Sequence, residues 1–287
     1  MAIISTLFKK MLCRPVVLLI LGFPLHYFGQ SVQHYSLFKP VPKEQMRDME
    51  TDRPDVTESP YTIDAGHFQY ETDMVRLIKD QSELKKSSTL LINQINVKLG
   101  LMKNRALQVG FQTYGRQKET NLKGESSLEE GFGDITIRVK QNLVGNDHGN
   151  FIMALLPYLK LPSSKFEDSR IEAGLIVPML YKLPGDWKLG FQVELDHLKD
   201  KDFNAMHTEL LQTLTLSHSL VQKLEAIAET YYTYDFKAHQ LSNYINAALQ
   251  FEVVKNLKLD AGINYGLQHG TEKHYFLVHP IATNFWR

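Results

Sequence analysis

Tyr244-Ile245-Asn246-Ala247-Ala248-Leu249-Gln250-Phe251-Glu252-Val253 is followed by the break Val254-Lys255-Asn256. A second run then begins, Leu257-Lys258-Leu259-Asp260-Ala261-Gly262-Ile263-Asn264-Tyr265-Gly266-Leu267-Gln268. In both runs apolar and polar residues alternate. Successive strand residues point to opposite faces, so each run has one greasy and one wet side. Each is about ten residues long, the length at which a tilted strand crosses the hydrocarbon core of a bilayer. The stretch predicts one hairpin of a membrane β-barrel.

The same unit recurs outward from this hairpin. Phe68, Tyr70, Thr72 and Met74 alternate with Gln69, Glu71 and Asp73, and Leu91–Leu101 and Leu107–Arg116 alternate likewise. Ile135–Lys140 follows a charged loop at 117–130, and Trp187–Asp196 alternates without a fault. Phe151–Leu161 is more uniformly apolar, and Pro157 inside it predicts a bulge or a break in the ladder. With 171–183, 210–220, 224–234 and 275–287 the chain holds twelve strands. Tight turns follow the even strands, at Lys103, Asn146, Gly185, Gln222 and Lys255, while longer polar loops follow most odd ones. That sorting predicts an all-β, antiparallel up-and-down transmembrane barrel of about 12 strands, of outer-membrane type, with both termini on the periplasmic side.

Alternation alone does not say which face is outside, because a soluble barrel buries its apolar face. Full charges on the polar face fit a wet lumen better than a soluble core. The residues expected to line it are Gln94, Asn96, Lys98, Gln112, Arg116, Arg138, Lys140, Gln192, Glu194, Asp196, Glu229, Gln250, Glu252, Asp260 and Asn264. Both signs occur, so no strong ion selectivity is implied. Twelve strands lie between the eight whose interior side chains fill and the sixteen that enclose an aqueous channel. Occlusion by side chains or by an N-terminal arm is therefore expected to compete with an open path.

The chain has 287 residues, 43% of them hydrophobic, with 32 basic and 32 acidic side chains. This balance leaves no nucleic-acid footprint. Lys9, Lys10 and Arg14 precede the apolar run Val16–Phe23, with small residues near Gly29 and Ser31, the pattern of a secretory signal over residues 1–29. Cys13, the single cysteine, lies within it, so the exported chain has no thiol. Residues 30–60 carry Pro40, Pro42, Pro54 and Pro60 and no periodicity, which reads as an extended periplasmic arm before a barrel over 61–287.

Enzymatic constellations are scarce. Ser217-His218-Ser219 is the best nucleophile–base candidate, but neighbours on a strand face opposite ways. His269 and His274 have no adjacent serine, and no zinc-protease, nucleophile-elbow or phosphate-loop motif occurs. No enzyme activity, cofactor or metal is expected, and a lipid hydrolase is the residual enzymatic alternative.

Thr51-Asp52-Arg53-Pro54-Asp55-Val56-Thr57-Glu58-Ser59-Pro60, followed by Ala65-Gly66-His67-Phe68-Gln69-Tyr70-Glu71, resembles a known group. So do Gly131-Phe132-Gly133-Asp134, Leu156–Pro162 and Gly174–Pro178. The group is the outer-membrane transporters named for the meta-pathway of phenol degradation, in their Bacteroidota form, and the resemblance covers roughly Leu37 to Gln268. It implies a Gram-negative outer-membrane barrel, folded by the barrel-assembly machinery and surrounded by outer-membrane lipid. It also implies passage of small molecules, aromatic or hydrophobic compounds among them. The resemblance attaches family weight to Thr51, Asp52, Arg53, Pro54, Asp55, Thr57 and Glu58. The end Phe285-Trp286-Arg287 departs from the terminal aromatic residue usual in such barrels. A closed structural barrel without transport remains the alternative reading.

Overall fold

The computed structural model describes residues 34–81, 85–163, 170–200, 205–268 and, for the backbone alone, 273–285. The signal at 1–29, His269 and the side chain of His274 lie outside the described residues. The strands are β1 (His67–Gln81), β2 (Lys85–Met102), β3 (Arg105–Asn121), β4 (Ser126–Gly131), β5 (Ile135–Val144), β6 (Phe151–Leu161) and β7 (Glu172–Lys182). They continue with β8 (Trp187–Lys199), β9 (Met206–Val221), β10 (Leu224–Asp235), β11 (Gln240–Val254), β12 (Leu257–Gly266) and β13 (Lys273–Phe285). Neighbours pair antiparallel in chain order. The ring closes because β1 pairs with β13 on one side and β2 on the other, while β2 also pairs with β3. β4 and β5 pair with successive stretches of β3 and together make one wall position, so the barrel has twelve. Closure satisfies the backbone groups that an open edge would leave in hydrocarbon.

The apolar series lies outside. Leu189, Phe191 and Leu195 of β8, Leu214 and Leu216 of β9, Leu249 and Phe251 of β11, and Ile263 and Tyr265 of β12 are all exposed. Their alternates Gln192, Thr213, Thr215, Gln250 and Asn264 are buried. A soluble barrel would show the reverse. Phe151, Tyr181, Trp187 and Phe251 stand exposed near the rim of the tight turns, where an aromatic belt meets headgroups.

Three local features refine the sequence expectation. Residues 117–130, expected as a loop, continue β3 and form β4 as a polar hairpin closed at Asn121–Glu125. Such a ribbon carries no apolar alternation, because neither of its faces needs to meet the hydrocarbon of a bilayer. Pro157 causes the expected break in the ladder but no bulge: pairing stops at Arg138–Tyr158 and resumes at Gln141–Leu155 in the same register. The irregularity falls instead near the turn, between Asn142 and Val144.

The third feature is a reversal of facing. Asp73 and Arg76 form an ion pair of 2.7 Å, although residues three apart on a regular strand face opposite ways. The reversal falls on one row. By continuous register that row holds Met74, Asn93, Thr113 and Gly133, and Asn93 takes a left-handed φ of 52°. Gln112 Nε2 and Thr113 Oγ1 donate to the Ile92 carbonyl at 2.7 Å each, satisfying a group the disturbed ladder would leave bare. Below the row even residues of β3 face the lumen; above it the odd ones do.

Candidate functional site

The sequence predicts an extended, periplasmic arm at 30–60, with occlusion of the lumen among its expected outcomes. Residues 36–46 lie along the turn rim and residues 47–62 enter the lumen as a loop. At the rim Leu37 N–H donates to Leu101 O at 2.9 Å and Val41 N–H to Ala65 O at 3.0 Å. The neck of the loop is clasped by Arg47 and Asp64 at 2.8 Å and by Asn146, whose Oδ1 accepts from Thr62 N–H at 3.1 Å. Gly100 lets the returning chain pass, since a Cβ there would stand 2.1 Å from the Asp64 carbonyl oxygen. The loop turns inward because its polar groups find buried partners all around the ring.

One flank faces β1 to β5. The Asp52 carboxylate receives Lys98 Nζ and Lys140 Nζ at 2.5 Å each and Gln108 Nε2 at 3.2 Å. Lys98 also meets Glu71 at 2.5 Å, and Lys140 donates to Ser59 O at 2.6 Å. Arg53 pairs with Asp73, and Asn142 Nδ2 donates to Pro60 O at 2.9 Å. The tip reaches the opposite wall. Glu229 of β10 accepts Val56 N–H at 2.9 Å, Thr57 N–H at 2.8 Å and Thr57 Oγ1 at 2.7 Å. Asn246 and Thr215 donate to the same carboxylate. Glu58 pairs with Arg138 at 2.5 Å while its N–H donates to Gln192 Oε1 at 2.7 Å.

Burial alone would push the Asp52 carboxyl up, but the ammonium groups of Lys140 and Lys98 hold it far below the usual carboxylate range. Asp55 has no such cation. Burial, and then the Glu229 carboxylate, raise it well above that range. The two carboxyls of one loop are thus shifted in opposite directions.

Of the residues expected along the lumen, Lys98, Arg138, Lys140, Gln192, Glu229 and Gln250 are brought together by the arm. Gln250 Nε2 donates to Thr51 Oγ1 at 3.0 Å and to Arg53 O at 3.1 Å. Gln112 is buried against the backbone of the reversal row, with Gln94 and Asn96 half-buried near it. Asp196 accepts the Tyr158 hydroxyl at 2.7 Å, and Glu194 accepts Gln192 Nε2 at 2.8 Å. Asn264 donates to the Tyr231 hydroxyl at 2.5 Å, Asp260 is buried on β12, and Glu252 stands across from Lys258 at the turn rim. Arg116 departs from the expectation. It lies beyond the reversal row, is exposed, and faces outward.

Sequence reasoning missed an apolar strip on the inner wall. Ile152, Ala154 and Leu156 of β6 are each 0% exposed and Ile176 of β7 is 3% exposed, all on the inward series. The uniform apolarity of β6 was the available signal, since a strand greasy on both faces has apolar cover inside as well as out. Beneath the loop a cavity of about 610 Å³ opens, lined by Arg47, Met49, Tyr61, Lys98, Asn146 and Lys255 among others. A crevice of about 70 Å³ separates the loop tip from the wall at Lys188, Gly190 and Glu225.

The hydrolase candidates do not assemble. Ser217 points inward and donates to Glu225 at 2.5 Å, whereas His218 stacks on exposed Trp187 with ring centroids 4.2 Å apart.

An outer-membrane channel from Pseudomonas putida F1 has a similar fold, with a TM-score of 0.59 at 12% identity over 82% of this chain and 99% of that one. The translocator domain of the autotransporter NalP from Neisseria meningitidis matches more loosely, at 0.49 and 12% identity over 75% and 88% of the two chains. No curated protein matches the sequence. The reversal row, β1 to β12 and the lumen loop from Thr51 onward fall within one family match, which spans residues 51–278. The chain belongs to the family described as "Putative MetA-pathway of phenol degradation".

Proposed function

We propose that this protein is a passive channel of a Gram-negative outer membrane for small compounds, and that its conducting path is narrowed by its own residues 47–62. The observation that carries this reading is how the lumen is filled. The wall has not collapsed on itself; a separate loop occupies the space through hydrogen bonds and ion pairs. A half-open approach of about 610 Å³ leads to that loop from the turn side. The apolar strip of β6 and β7 supports aromatic or hydrophobic solutes among those carried, as the family description suggests. No step consumes energy in this scheme: solute moves down its gradient along the crevice at Lys188, Gly190 and Glu225.

The saturated partners of Asp52 and Glu229 favour the alternative, a barrel held shut. Planar-bilayer conductance and liposome swelling separate the two. The channel reading expects small, resolvable conductance from the intact protein and a larger one when residues 51–60 are replaced by a Gly/Ser linker. A silent bilayer with both proteins, each folded and inserted, would leave the closed structural barrel.

A further inference from the structure

Above the reversal row the outer wall of β1 to β4 changes character. Below it, the outward residues of β2 and β3 are Leu99, Val97, Ile95, Leu107, Val109 and Phe111. The first outward row above is Val75, Ile92 and Tyr114, and the second is Leu77, Leu90, Arg116 and Glu130, opposite one another by register. Lys79, Ser88, Lys118 and Leu128 follow, then Lys86. Facing is fixed by Arg76, which pairs with lumenal Asp73 and lies in register with Leu91 and Gly115, so the alternate series must point out.

Lys79, Lys86, Arg116 and Lys118 are all exposed, and among the described residues none has an ion-pair partner. The carboxylate across from Arg116, that of Glu130, accepts the Tyr114 hydroxyl at 2.9 Å. Strands two apart are separated by roughly 10 Å and alternate residues by about 7 Å, so the cations form one compact group. Their stems begin beside Leu77 and Leu90, the last apolar row, and their heads reach toward the loop rim, the position from which long cations snorkel to a headgroup layer.

We infer that this outward cluster binds the phosphate groups of an anionic lipid in the outer leaflet. A phosphate takes several charge-assisted hydrogen bonds, and Arg116 flanked by lysines offers both a planar fork and mobile point charges. The polar hairpin β3–β4 rises behind the headgroup and gives it a wall to lie against. The site is on the outer surface and is independent of whether the lumen conducts.

The test is native mass spectrometry of the full protein in neutral detergent, titrated with diphosphoryl lipid A or with phosphatidylcholine. Wild type should retain diphosphoryl lipid A preferentially. The triple variant Lys79→Gln, Arg116→Gln, Lys118→Gln should bind it on the order of a hundredfold more weakly, at about fivefold per cation. A control carrying Lys39→Gln and Lys223→Gln at the turn rim should behave as wild type. Equal retention of both lipids by wild type, unchanged binding by the triple variant, or equal loss in the control would each overturn the assignment. Should the triple variant not fold, the single variants Lys79→Gln and Lys118→Gln at exposed positions serve instead, each expected to weaken binding about fivefold.

Discussion

Replacing Asp52 by Asn should unseat the lumen loop. The carboxylate sits between two ammonium groups at 2.5 Å each, and the side chains of Asp52, Lys98 and Lys140 are only 4%, 3% and 1% exposed. Asn keeps the shape and removes the charge. Lys98 retains Glu71, but Lys140 keeps only the Ser59 carbonyl and a longer approach to Glu58 at 3.8 Å. Breaking a buried pair by removing one partner costs about 3–5 kcal/mol, because the other charge is left unbalanced. The cost falls on the seated state alone: with the loop withdrawn, both lysines face water. At about 1.4 kcal/mol per tenfold, the seated-to-withdrawn ratio should fall by roughly two to four powers of ten. Limited proteolysis after Glu58 by a glutamate-specific protease in folded, detergent-purified protein reports the withdrawn population, and single-channel recording reports its conductance. Both should rise. If Asp52→Asn is cleaved within twofold of wild type while the barrel keeps its heat-resistant mobility, the charge clamp does not hold the loop.

Other expectations follow from the same geometry. Raising the pH should loosen the tip. Asp55 has a raised pKa in the seated loop, so its contribution is fully present below the unfolded value and is lost as pH climbs through the folded one. Channel openings should increase from acid to alkaline pH and be flatter in Asp55→Asn; the opposite slope in wild type would refute this. Gly100→Ala should disturb the neck, because its Cβ would press on backbone at Asp64, with a cost of about 1–3 kcal/mol seen as lower thermal stability. Ile263→Arg should cost about 2–4 kcal/mol in a folding titration into lipid if that residue meets the bilayer midplane. Ser88→Arg, above the reversal row, should stay within about 0.5 kcal/mol, and equal penalties at the two sites would show that the lipid boundary is misplaced.

Much of the barrel was legible because lipid enforces a simple rule on each strand. Residues 244–268 could alternate faithfully since Ile263 and Leu249 meet hydrocarbon while Asn264 and Gln250 do not. The polar hairpin at 117–130 escaped that rule and so looked like a loop. Arg116 was assigned to the wrong face for a different reason. Its strand holds one register with β2 from Ala106 to Asn121, and the reversal is visible only as a left-handed Asn93 on β2 and a glycine at 133 between β4 and β5. The loop at 51–60 was recognisable as a motif, yet its place was not. Thr57 meets Glu229 across 172 positions of chain, and Gln250 lies 199 from Thr51; nothing local records such meetings.

The row through Met74, Asn93, Thr113 and Gly133 makes the wall, in effect, two stacked cylinders whose inside-outside codes are out of phase. Because the neighbours switch together, each remains matched to the next along the whole height. Deleting one residue from a single strand at that level would leave it synchronised with its neighbours on one side of the junction and inverted on the other. Shortening all of them in concert is the only edit that preserves the wall, so length changes in this quarter of the barrel should come as coordinated sets.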